Sequence, residues 1–321
     1  IEYGTQYLEI CTVFSFGIFG EIILERILQS TGRTIYNMYS QGAGAIINIV
    51  LDPIMIFGLF GCPAMGISGA AAATVIGQIV AMFLALYFNL KKNHDVSIDM
   101  RGFRPNARII RIIYSVGLPS IIMQSITSVM TYGMNLILIS FSATAVTVLG
   151  IYFKLQSFIF MPIFGLNNGM IPIIAYNYGS RSKKRIMDTA KLSIAIAIGI
   201  MLLGLVIFQV FTPQLLMLFN ASDSLLEIGI PALRTISLSF LFAGYCIITG
   251  SVFQALGNGV YSLIISVARQ LLCILPLAYI FSHVWGLHAV WFAFPMAEII
   301  STLLTSILFK RIYNKKIKVL E

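Results

Sequence analysis

The residues of this chain best suited to chemistry are Asn48 and Asp52, four positions apart in an otherwise apolar segment and followed at once by Pro53. Four residues is about one helical turn, so the amide and the carboxylate share a face and can share a ligand. A carboxylate inside a membrane helix costs about 2.5–3.5 kcal/mol on insertion scales, which makes a binding or proton-carrying group its default role. Pro53 has no N–H and its ring crowds the carbonyl of Ile49, leaving that oxygen available for coordination. The structural alternative is that Pro53 kinks the helix while Asp52 bonds a neighbouring one.

Other polar groups inside apolar stretches are candidates of the same kind. Glu21 and Glu25 lie one turn apart with Arg26 beside them. Arg26 is expected to neutralise Glu25 near a helix end, where long side chains reach water. Glu21, lying deeper, suits a cationic substrate, a proton or a hydrogen bond to another helix. Glu298 is a carboxylate in the last span, and Arg269, central in its own span, needs a cavity or a carboxylate, Glu298 among them. Gln156, Asn167 and Asn168 line a substrate cleft or bond between helices. The small residues of Gly42-Ala-Gly44-Ala45 and Gly69-Ala-Ala-Ala-Ala73 let helices approach closely.

These residues must be positioned by membrane helices. The 321 residues are 58% hydrophobic and 10% charged, with mean hydropathy +0.91, far from the usual quarter of charged residues in soluble domains. Apolar stretches fall at about 7–30, 38–60, 66–89, 112–139, 148–176, 187–211, 228–255, 260–282 and 287–309, each able to span a bilayer. The fold class is therefore an all-α polytopic membrane protein of about nine transmembrane helices. The net charge of +9 does not imply nucleic acid, because the basic residues sit between spans. Arg33, Lys91, Lys92, Arg101, Arg104 and Arg108, the run Arg181 to Arg185, and Lys310 to Lys318 gather on one side. That side is expected to be cytoplasmic, with the C-terminus on it.

Cys11, Cys62, Cys246 and Cys273 have no metal or disulfide spacing. No phosphate-cradling Gly-x-x-x-x-Gly-Lys-Ser/Thr is present. The spans hold no His-rich cluster and, apart from Glu21 and Glu25, no close carboxylate pair. Neither an enzyme nor a cofactor is expected.

An internal repeat organises the chain. Gly4 and Leu8 match Gly229 and Leu233, and Gln29, Gly32 and Tyr36 match Gln254, Gly257 and Tyr261, all at an offset of 225. Gly66, Ala73, Gln78 and Ile79 match Gly286, Ala293, Glu298 and Ile299 at 220. The first three spans thus resemble the last three in the same orientation. On this offset the partners of the middle three spans fall before residue 1, so about 115 residues and three helices are expected to precede the chain.

The sequence resembles the multidrug and toxic compound extrusion (MATE) transporters, within a larger group that includes lipid-linked oligosaccharide flippases. The resemblance rests on Asn48-Ile-Val-Leu-Asp52-Pro53 followed by Gly66-Ile-Ser-Gly69-Ala70 and Thr74. Leu118-Pro119-Ser120, Asn167-Asn168-Gly169 with Pro172, and Tyr176-Asn177-Tyr178-Gly179 extend it over essentially the whole chain. It implies helices 4–12 of a twelve-helix, two-lobe transporter. Residues 1–90 would be the second half of the N-terminal lobe, 91–108 a cytoplasmic inter-lobe loop, 109–309 the C-terminal lobe and 310–321 a basic tail.

The resemblance further implies an H+ or Na+ site at Asp52, Asn48 and Thr74, with any sodium ion at Asp52. It adds Gln124 in the family's seventh helix and Asn135, the repeat counterpart of a first-helix aspartate, to the substrate-cleft candidates Glu21, Gln156, Asn167, Asn168 and Glu298. The expected function is antiport: export of small amphipathic or cationic compounds against H+ or Na+. The alternative is a lipid-linked oligosaccharide or other lipid flippase. The expected partners are a small-molecule substrate and the lipid bilayer of the cell membrane, with no nucleic acid and a monomeric state.

Overall fold

A computed structural model describes residues 2–96 and 104–320. Part of the expected 91–108 link, Arg101 included, lies outside the described residues. The chain divides into two compact units, Ile1–Arg104 and Pro105–Glu321.

In the first unit, α1 (Glu2–Val13) and α2 (Phe16–Ser30) precede α3 (Thr34–Phe57) and α4 (Ile67–Lys92). Gly69, Ala73, Gly77, Ala81 and Ala85 recur every fourth position of α4 and are all buried, which gives that helix one smooth side. A Cβ at Gly77 would stand 2.8 Å from the Gly44 carbonyl oxygen, and one at Gly44 2.9 Å from that of Gly77. One at Gly69 would meet the Met55 carbonyl oxygen. The α3–α4 contact is therefore nearly backbone on backbone. At Gly42 nothing lies within 4 Å, so of the first small-residue run Gly44 carries the close approach.

The second unit contains α5 (Ala107–Ile139), α6 (Ala143–Gly179), α7 (Lys183–Val210), α8 (Thr212–Met217), α9 (Asp223–Ser237), α10 (Phe240–Ala255) and α11 (Gly259–Val267). A π-helical turn, Ala268–Ile274, leads into α12 (Leu275–Val284), followed by α13 (Leu287–Val290) and α14 (Ala293–Ile312). Its core is built on the fully buried Phe208, Phe240, Phe253 and Trp291. Phe240 packs edge-on against both Phe208 (5.1 Å) and Phe160 (5.5 Å).

Among the described residues, seven helical segments are long and apolar enough to span a membrane. Two more spans are bent pairs, α1 with α2 at 50° and α9 with α10 at 49°. The expected continuous spans 7–30 and 228–255 are thus broken ones. Hydropathy does not register a bend whose flanking residues are equally apolar.

The two bends fall at corresponding places of the 225-residue repeat, and so do the turns after them. Gly32 has φ +75° and Gly257 φ +72°, in the left-handed region that glycine reaches without steric penalty. Gly32 N–H donates to the Gln29 carbonyl at 3.0 Å and Gly257 N–H to that of Gln254 at 2.9 Å. The next N–H, of Arg33 or Asn258, reaches the Leu28 or Phe253 carbonyl at 2.8 Å in both copies. Gly66 and Gly286, the pair at offset 220, also have positive φ, +56° and +79°. The repeat read from scattered glycines and glutamines is a repeat of backbone geometry.

Candidate functional site

The α3–α4 contact places the polar groups. With the two backbones pressed together at Gly44 and Gly77, Asn48, one turn beyond Gly44, faces Thr74 on α4. Asn48 Nδ2 donates to Asp52 Oδ1 at 3.2 Å and to Thr74 Oγ1 at 3.4 Å. Both amide hydrogens are thereby used. Thr74 donates its own hydroxyl hydrogen to the Ala70 carbonyl at 2.9 Å, so at 3.4 Å the Tyr7 hydroxyl is the donor to Thr74. Thr74 Oγ1 thus accepts from both Tyr7 and Asn48, and Asn48 also donates to Asp52, which links the four side chains in one network. Asp52 Oδ2 and Asn48 Oδ1 remain without a donor among the described residues, a pair of hard oxygen ligands with one formal negative charge between them.

Asp52 is half-buried and lies nearer the end of its helix than the sequence implied. The segment expected at 38–60 ends as a helix at Phe57, five residues beyond Asp52, where Gly58 turns left-handed at φ +74°. The helix continues through Pro53 without a break.

Beside this site is a cavity of about 190 Å³ lined by Glu21, Gln41, Asn48, Thr74 and Gln78, with Gly44 and Gly77 among its walls. Glu21 therefore faces the same space as two of the expected cation ligands. Glu25, one turn along, is buried and accepts from Gln41 Nε2 at 2.7 Å and Ser40 Oγ at 3.5 Å. Arg26 donates to Gln29 Oε1 at 2.6 Å. Tyr7 and Gln41 carried no functional signal in the sequence. Tyr7 touches a residue 67 positions away, and only the folded α1–α4 contact reveals it.

In the second unit the expected residues are dispersed. Gln124 and Asn168 are exposed, Asn135 and Gln156 half-buried, and Asn167 buried. Asn167 Oδ1 has no hydrogen-bond partner among the described residues. Glu298 is buried and its Oε1 accepts from Arg269 Nη1 at 2.9 Å. The atoms Glu298 Oε2 and Arg269 Nε are buried without partners among the described residues. The carboxylate that Arg269 needed is Glu298. Arg269 belongs to the π-helical turn, a local widening of a helix found mostly as a single turn and often at functional sites.

The MatE family profile matches residues 1–54 and 119–280 of the chain. The chain belongs to the MatE family. Among the relatives of this MatE protein is the multidrug export protein MepA of Staphylococcus haemolyticus (strain JCSC1435), 27% identical over 316 residues, covering 98% of this chain and 68% of the relative. MepA of Staphylococcus aureus (strain MRSA252) is 29% identical over 279 residues, covering 86% and 60%. The chain thus spans 60–68% of the length of these two relatives.

A solved MOP superfamily transporter from Pyrococcus furiosus superposes with a TM-score of 0.89 at 27% identity, covering 98% of this chain and 70% of that one. A multidrug resistance MATE family transporter in an outward-facing conformation gives 0.89 at 27%, covering 98% and 69%. The protein is an all-α integral membrane protein with the fold of the MATE transporters.

Proposed function

We propose that this MatE protein is a secondary active exporter of small amphipathic or cationic compounds, driven by H+ or Na+ bound at Asp52, Asn48 and Thr74. The observation that carries the reading is the orientation of the Asn48 amide, whose two hydrogens go to Asp52 and Thr74 and whose oxygen is left for a ligand. One carboxylate in a set of neutral oxygens matches a single positive charge. A proton or sodium ion neutralises the site, whereas a divalent ion leaves it charged inside the membrane. Tyr7 and Thr74 hold Asn48 in place.

The coupling follows from differential affinity. If one access state binds the cation at Asp52 more tightly, the cation shifts the population toward that state, by no more than the difference in binding free energy. The cavity lined by Glu21 gives the cation a polar approach to Asn48 and Thr74. We place the site in the second half of an N-terminal lobe, with the basic loops and C-terminus cytoplasmic, as the distribution of lysine and arginine supports. The flippase reading needs free cationic groups for phosphates, and the pairing of Arg269 with Glu298 removes one of the few available inside the spans.

The test is transport in membrane vesicles under imposed H+ or Na+ gradients. Uphill movement of a lipophilic cationic dye, lost on gradient collapse, is the expected result. Translocation of a lipid head group without dye movement would overturn the export reading.

A further inference from the structure

We infer that the second unit carries a binding site for the phosphate of an anionic membrane phospholipid, formed where the α6–α7 turn meets the segment after α14. The site is a concavity of about 410 Å³ lined by Tyr178, Arg181, Lys315, Lys316, Val319 and Leu320. Three cations surround it, and among the described residues no carboxylate lines it.

Two local distortions bring these residues together. Arg181 sits at φ +56°, a left-handed conformation that costs a non-glycine residue and collects at ligand-holding turns. The turn is fixed by Ser180 N–H to the Tyr176 carbonyl at 3.0 Å and Ser182 N–H to that of Asn177 at 2.9 Å. On the other side, α14 widens into a π-helical turn, Tyr313–Ile317, closed by Lys318 N–H on the Tyr313 carbonyl at 2.7 Å.

The cations are not equivalent. Lys316 is already committed: its Nζ donates to the Leu256 carbonyl at 2.7 Å and lies 5.7 Å from the centre of the Tyr178 ring. Arg181 and Lys315 have no acidic partner among the described residues. A guanidinium and an ammonium unneutralised around one hollow suit a phosphate, the first by paired N–H donors and the second as a point charge.

The source of that phosphate is set by the rest of the lining. Val319, 70% exposed, and Leu320 put apolar surface beside the charges. The hollow also lies at the ends of two membrane-spanning helices, α6 and α14, where head groups lie. A soluble anion has no use for the apolar wall, whereas the glycerol and first methylenes of a lipid do. A headgroup bearing its own ammonium is repelled by the third cation, so phosphatidylglycerol is favoured over phosphatidylcholine.

The test uses the purified protein in detergent, with retained lipid counted by native mass spectrometry for phosphatidylglycerol and phosphatidylcholine of identical acyl chains. Preferential retention of phosphatidylglycerol is expected, falling about fivefold for each unpaired cation removed, in Arg181→Gly and Lys315→Gln. Arg181→Gly keeps the fold because glycine accepts the positive φ. Lys310→Gln, outside the hollow, retains lipid as the parent does. Equal retention of the two lipids, no change in the variants, or displacement of the lipid by millimolar glycerol phosphate would each overturn the proposal, the last in favour of a soluble anion.

Discussion

Arg269 and Glu298 form a part-buried ion pair at 2.9 Å between a π-helical turn and α14, with the enclosed atoms Arg269 Nε and Glu298 Oε2 left without partners among the described residues. Removing one member strands the other as an uncompensated charge, which typically costs about 3–5 kcal/mol, whereas replacing both by apolar residues is often near neutral. Glu298→Gln and Arg269→Gln should therefore each lower the melting temperature in detergent more than the double variant Arg269→Met with Glu298→Leu. If the double variant loses the sum of the two single losses, the pair is not an energetic unit.

The hydrogen-bond chain at the candidate cation site makes a prediction about non-additivity. Tyr7 acts on Asn48 only through Thr74. Tyr7→Phe and Thr74→Val each remove a contact of roughly 0.5–1.5 kcal/mol, so each should weaken the apparent cation affinity of transport by about 2- to 10-fold. The combined variant should be little worse than Thr74→Val alone. Independent, multiplicative losses would show that Tyr7 acts by another path.

The same site depends on the α3–α4 spacing. Gly77→Ala drives a methyl to 2.8 Å from the Gly44 carbonyl oxygen, a backbone atom that cannot swing away. Overpacking of this kind costs about 1–3 kcal/mol. The separation it forces also breaks the Asn48–Thr74 bond, so both the melting temperature and cation-driven efflux should fall. Gly42→Ala, with nothing within 4 Å, serves as the matched control and should leave both unchanged.

Much of this molecule was legible in its sequence, and the parts that were not have physical reasons. Asn48 and Asp52 were readable because a four-residue spacing fixes two side chains on one helical face before any tertiary contact forms. Gly32 and Gly257 were readable because a left-handed turn demands glycine in both copies of the repeat. The bends near Phe14 and Leu238 were invisible, since apolar residues flank them on both sides. Tyr7 was invisible because its partner is 67 residues away. The Arg269–Glu298 pair was only one option in the sequence. Charge called for a partner, and packing chose which.

The role assigned to Asp52 is tested most directly by Asp52→Asn, a neutral isostere that keeps a side chain able to bond Asn48. Dye binding and uphill, gradient-driven dye efflux are to be measured on the same vesicles. Binding at the parental level with efflux reduced to the passive leak is the predicted result. Uphill efflux by Asp52→Asn at the parental rate would contradict the assignment of Asp52 as the coupling carboxylate.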